Sequence, residues 1–124
     1  MDRSTFQRWL DNYVAAWRTY DAEAIGALFT ESAEYRYHPW DDPVAGREAI
    51  VASWLEEPDE PGSWEARYEP WAIDGDGAVA VGVSRYLAPD RESVHREYHN
   101  VFLCRFDDDG RCAEFTELFL RRSD

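Results

Sequence analysis

Val94-His95-Arg96-Glu97-Tyr98-His99-Asn100-Val101-Phe102-Leu103-Cys104-Arg105-Phe106, then Asp107-Asp108-Asp109-Gly110, then Arg111-Cys112-Ala113-Glu114-Phe115-Thr116-Glu117-Leu118-Phe119-Leu120: this run reads as two long strands around a turn. Val94, Tyr98, Val101, Phe102 and Phe106 in the first arm and Phe115, Thr116 and Phe119 in the second are strand-favouring aromatic or β-branched residues, and the acidic stretch ending in Gly110 supplies the turn chemistry. Working backwards, Ala78–Leu87 places Val79, Val81 and Val83 on one face, and Ser63–Ile73 alternates around Trp64, Ala66 and Tyr68. Asp74-Gly75-Asp76-Gly77 joins these two as a hairpin. Four long strands joined this way form an antiparallel meander, and such a sheet curls strongly.

The first half has a different period. Phe6, Trp9, Leu10, Tyr13, Val14 and Trp17 recur every three to four residues, which predicts a helix over Ser4–Tyr20. Ser4 or Asp2 can cap its start. Asp21 caps a short second helix with Ala24, Ile25, Leu28 and Phe29 inward, ended by Thr30-Glu31-Ser32. A short strand follows over Ala33–His38 and stops at Pro39, and Asp41-Asp42-Pro43 reads as a loop. A third helix runs from Gly46 to about Leu55, with Ile50, Val51, Trp54 and Leu55 on one side. Glu56–Gly62 holds two prolines and four acids and reads as an exposed loop. The expected architecture is α+β: a cone-shaped, curved antiparallel sheet wrapped around N-terminal helices and enclosing a pocket. No linker, repeat or low-complexity tract interrupts 1–124, so one domain is expected.

Composition narrows the function classes. The chain has 124 residues, 44% hydrophobic, with six Trp, seven Tyr and six Phe, enough bulk to line a cavity as well as fill a core. The net charge of −13 opposes phosphate backbones and anionic lipid, so neither nucleic acid nor membrane is expected as a partner. All 13 basic residues are arginine. Without lysine, neither Schiff-base chemistry on a side-chain amine nor a Walker-type phosphate loop is open to this chain. No signal peptide or membrane span is read, and a cytoplasmic setting is expected. Cys104 and Cys112 lack metal-ligand spacing and read as small buried apolar residues.

Five segments carry a family pattern: Tyr13-Val14-Ala15-Ala16-Trp17, Asp21-Ala22-Glu23-Ala24-Ile25, Leu28-Phe29-Thr30-Glu31-Ser32-Ala33, Gly46-Arg47-Glu48-Ala49-Ile50, and Arg105-Phe106-Asp107-Asp108-Asp109-Gly110-Arg111. Their order and spacing resemble the nuclear-transport-factor-2-like superfamily, nearest the polyketide-cyclase (SnoaL-like) and ketosteroid-isomerase branches. The resemblance implies a curved sheet of six strands or fewer, a deep pocket, and a homodimer through the outer sheet face. The fold hosts many chemistries, so function has to be read from the site.

Tyr13 falls where isomerases carry an oxyanion-donating tyrosine, with a core tyrosine on the helix stripe as the alternative. His38 stands before Pro39 where the isomerase pattern has a general-base aspartate. Imidazole can still move a proton near neutral pH, or can simply close the strand. Phe102 replaces a second, protonated aspartate of that branch. Asn100, on the same strand face, could supply a donor amide or tie down a neighbouring strand. Glu117 matches the cyclase branch's pocket aspartate. Alternation groups it with Phe115 and Phe119, and a carboxyl among rings should titrate high. Arg85 continues the Val79–Val83 face and is a natural partner for Glu117 or for a ligand anion, unless it reaches the rim. Trp17, Trp40, Trp54, Phe102, Phe115 and Phe119 are candidate ligand-binding walls, with plain core packing as the alternative. His95, Glu97 and His99 share the opposite face, but strand spacing puts the two imidazoles about 13 Å apart, so no metal site is expected there. The leading expectation is acid/base catalysis without a cofactor on a small hydrophobic, oxygenated molecule: isomerisation, cyclisation or dehydration. A non-catalytic small-molecule binder and a dimeric protein-interaction module are the alternatives.

Overall fold

The computed structural model describes residues 1–123. Helix α1 spans Arg3–Thr19. The Asp2 carboxylate accepts from the Thr5 backbone N–H at 2.8 Å and caps it. Phe6, Trp9, Leu10, Tyr13 and Ala16 form its buried stripe, as the spacing requires. Helix α2 covers only Ala22–Gly26, capped by Asp21.

The chain then enters strand β1, Phe29–Arg36, four residues earlier than the sequence suggests and where helix was expected. Tertiary bonding explains the difference. The Leu28 carbonyl accepts from Trp9 Nε1 at 3.0 Å and from the Cys112 N–H at 2.8 Å. Arg47 donates through Nε and Nη2 to the Phe29 carbonyl. These partners claim backbone groups that a longer helix would have used internally. A two-residue edge strand, β2 (Val44–Ala45), pairs antiparallel with β1 just beyond the expected loop. Helix α3 spans Arg47–Glu56 and buries Ile50 completely.

Strands β3 (Trp64–Asp74), β4 (Gly77–Leu87), β5 (Val94–Phe106) and β6 (Cys112–Arg121) form the expected meander. The full sheet has the order β2-β1-β6-β5-β4-β3. Strand β1 lies parallel to β6, with Tyr35 opposite Phe115 and Arg36 opposite Thr116. The sheet is therefore mostly, not wholly, antiparallel, and it stays open between β2 and β3. Helix α1 lies against β3 and α3 against β1, both on the inner face.

Rings fill the space between. Phe115 is stacked between Tyr35 and Tyr13, with centroids 4.6 and 5.6 Å away. Tyr68 meets Phe102 at 4.5 Å.

The faces of β4 are opposite to the sequence expectation. Ala78, Ala80 and Ser84 are the buried residues, and Val79, Val81 and Val83 point outward. Rings from α1, β3, β5 and β6 already occupy the interior, so β4 can contribute only small side chains there. The valines join Val101, Leu103, Leu118 and Leu120 on the outer face, where Val81 stands opposite Val101 and Val101 opposite Leu118. Among the described residues no helix is long and apolar enough to cross a membrane.

Candidate active site

Between the helices and the inner sheet face lies an open-mouthed cavity of about 650 Å³. Glu117 reaches it from β6 because strand alternation puts it on the face of Phe115 and Phe119. Asn100 stands on the neighbouring strand β5. Its Nδ2 donates to Glu117 Oε1 at 3.0 Å, while its Oδ1 accepts from the Ser84 hydroxyl at 3.1 Å. Ser84 and Asn100 are both buried, so this relay fixes the carboxyl from β4 through β5 to β6.

Burial pushes the Glu117 carboxyl up to about 7, against the smaller opposing pulls of the Asn100 amide and the nearby His38. The carboxyl faces a ring of phenols. Tyr13 Oη and Tyr35 Oη lie 3.3 Å apart at the inner end. Burial drives both hydroxyls well above the usual phenol range, and the Glu117 charge adds to it. They therefore remain protonated donors. Tyr37, Tyr68 and Tyr86 are raised for the same first reason, with a contribution from Glu117 in each. Trp54 packs edge-on against Tyr13 at 5.1 Å, and its buried Nε1 has no partner.

At the mouth, Trp17 stacks on Trp64 at 3.5 Å and donates to Asp59 Oδ2 at 3.0 Å. Tyr20 donates to the same oxygen and accepts from the Asp59 N–H. These bonds pin the acidic 57–62 loop to α1.

The structure brings Tyr13, Asn100 and Glu117 together in this cavity, with Trp17, Trp54 and Phe119 on its wall. His38 lies just outside. Its Nδ1 is 2.9 Å from Asp41 Oδ2, and its ring rests against Trp40 and Phe119. Four residues are placed differently from the catalytic and ligand-wall roles expected of them. Arg85 is on the outer face, paired with Glu97 at 2.7 Å and Glu65 at 3.7 Å, because its odd-numbered register follows the outward valines. It cannot orient Glu117. Trp40 is 79% exposed and caps His38 rather than the cavity. Phe102 and Phe115 are fully buried in the core behind the cavity wall. On that outer face Glu97 also takes His99 and Arg122, and Arg85 and its companions hold its carboxyl down to about 2.

The sequence reading missed the hydroxyl-bearing rings Tyr35, Tyr37, Tyr68, Tyr86 and Tyr98, and with them Ser84 and Arg96. The signal for two of them was present. The alternation that turns Asn100 inward also turns Tyr98 and Arg96 inward.

Comparisons with known proteins agree with this fold. A family model described as a SnoaL-like domain matches residues 10–115. No curated protein matches the chain by sequence. Among solved structures, a candidate ketosteroid isomerase from Kribbella flavida DSM 17836 superposes with a TM-score of 0.72 at 17% identity, over 99% of this chain and 83% of that one. A nuclear-transport-factor-2-like protein of unknown function from Burkholderia xenovorans LB400 also gives 0.72, at 16% identity over 98% and 87%. The Mycobacterium tuberculosis protein RV0760c gives 0.69 at 11% identity over 98% and 99%. At these identities the structural likenesses speak for the fold alone.

Proposed function

The chain belongs to the SnoaL-like domain family, and from that premise we propose that it performs acid/base chemistry on a small, hydrophobic, carbonyl-bearing molecule held in the cavity. The observation that carries this reading is Glu117: a carboxyl poised at about 7 inside an aromatic hollow, oriented by Asn100. A base with that value is about half ionised at neutral pH and is matched to proton transfer there. In the proposed step the Glu117 carboxylate takes a proton from the carbon next to a carbonyl. The electron pair moves onto the carbonyl oxygen, which accepts from the Tyr13 or Tyr35 hydroxyl and from Trp54 Nε1–H. Return of the proton to another carbon gives isomerisation. Attack of the enolate on a second carbonyl, whose oxygen takes the proton back from Glu117, gives cyclisation; loss of a β-hydroxyl as water, carrying that same proton, gives dehydration. His38 at the mouth, backed by Asp41, is the proposed exchange route to solvent. All of this uses the chain's own side chains.

The test is deuterium incorporation next to the carbonyl of 2-tetralone, followed by proton NMR. The wild type is expected to catalyse exchange with a rate that rises with pH through about 7, and Glu117→Gln is expected not to. No exchange above buffer, or equal exchange by both proteins, would remove the catalytic reading. It would favour a ligand carrier, which the mutually satisfied Asn100–Glu117 and Tyr13–Tyr35 pairs also suit.

The outer sheet face enters the same proposal as a homodimer surface. Val81, Val101 and Leu118 run across three strands there, and Leu103 and Leu120 are 43% and 78% exposed. Exposed apolar rows of this kind mark association sites. Leu103→Glu is expected to shift the sedimenting species from twice 14.5 kDa to 14.5 kDa. A wild type that sediments as a monomer contradicts this.

A further inference from the structure

Among the described residues, only two buried side-chain donors lack a hydrogen-bond partner: Trp54 Nε1 and Arg96 Nε. Both line the same cavity. An orphaned buried donor in a folded chain calls for an explanation, and two carried by residues of one cavity wall direct attention to the acceptor atoms a ligand would bring there.

Arg96 is the single basic residue on the wall. Its guanidinium lies 4.8 Å from the Tyr86 ring centroid and 5.9 Å from that of Tyr98, and Nη1 donates to the Tyr98 hydroxyl at 3.4 Å. The flat group is therefore held by its faces and by one nitrogen; Nε is shielded without a partner, and Nη2 makes no hydrogen bond among the described residues. In a chain with 26 acids against 13 arginines, Arg96 forms no ion pair among the described residues. None of the acids around it pairs with it. Asp59 is bonded by Trp17 and Tyr20, Glu56 and Glu57 stay exposed on the rim, and Glu117 lies at the other end with Asn100. A planar fork with unpaired donors matches a carboxylate better than any neutral acceptor.

Spacing fixes the other end of the ligand. Arg96 is four residues along β5 from Asn100, which is about 13 Å of strand. That span suits a fused two-ring body with hydrogen bonds at both ends. We propose that the cavity takes aromatic or fused-ring keto acids, with Arg96 gripping the carboxylate near the mouth and the carbonyl lying at the Trp54–Glu117 end. The position of the carbonyl rests on the acid/base reading above; the carboxylate site rests on Arg96 alone.

The experiment is isothermal titration calorimetry with 6-acetyl-2-naphthoate and its neutral carboxamide, using wild type, Arg96→Gln and Arg96→Lys. The wild type is expected to bind the acid at least tenfold more tightly than the amide. Arg96→Gln should close that gap, and Arg96→Lys should keep only part of it, since an ammonium lacks the fork. Equal affinities in the wild type, a preference that survives Arg96→Gln, or no binding of either compound overturns the proposal. The 2-tetralone assay separates the two readings. Acid preference without exchange keeps the anion site and removes the catalysis; exchange without acid preference does the reverse.

Discussion

Replacing Glu117 with glutamine is expected to slow 2-tetralone exchange by about 10²–10⁴-fold, the usual worth of a positioned general base, while making the protein more stable at pH 8. Both effects follow from one property. The folded-state value of Glu117 is raised from 4.5 to about 7, chiefly by burial. A carboxyl raised in this way favours folding fully below its unfolded value. That contribution is lost as pH climbs through the folded value, because the buried group must then carry charge. Across pH 4.5 to 8 the loss amounts to about 3 kcal/mol. Glutamine keeps the oxygen that accepts from Asn100 and never ionises. The stability gap between variant and wild type should therefore open with rising pH and vanish near pH 4. Urea unfolding at several pH values reads it directly. A gap that stays constant with pH would contradict the assignment.

Gly82→Ala is expected to be the most damaging single-methyl change in the sheet. Gly82 lies on the inner face of β4, opposite Tyr68 on one side and Asn100 on the other. A Cβ there would overlap the Arg67 carbonyl oxygen, the Tyr68 ring and the Tyr68 Cα. Two of these are backbone atoms, which cannot move without breaking the β3–β4 ladder. Overpacking of this kind costs about 3 kcal/mol or more. The Tyr68 ring, which closes the cavity floor against Phe102, would be displaced as well. Urea denaturation gives the stability, and the near-ultraviolet dichroism of the ring cluster reports the displacement. A midpoint indistinguishable from wild type would mean that β3 and β4 do not approach as described.

How much of this was legible in the sequence depends on what each residue was asked to reveal. The long strands and the α1 stripe were plain, because periods of two and 3.6 survive in any context. Glu117 and Asn100 were found by the same alternation. The α2–β1 boundary was not, since Leu28 and Phe29 suit a helix locally and are claimed by Trp9, Cys112 and Arg47 from 18 to more than 80 residues away. Arg85 was misplaced because valines suggest an interior, whereas here the interior had room only for Ala78, Ala80, Gly82 and Ser84. The tyrosine ring around Glu117 was hidden for another reason. Periodicity tells which way a ring points, but not whether its hydroxyl ends in a void or in a packed neighbour.

The central claim is that Glu117 is a buried, near-neutral carboxyl inside a ligand-sized cavity. Carbon-13 NMR of the Glu117 side-chain carboxyl, assigned by its disappearance in Glu117→Gln and followed across pH 3–9, measures this without any ligand. The expected midpoint is about 7, well above the ordinary carboxyl value of 4.5. A midpoint near 4.5 would show a solvated side chain and would contradict the account.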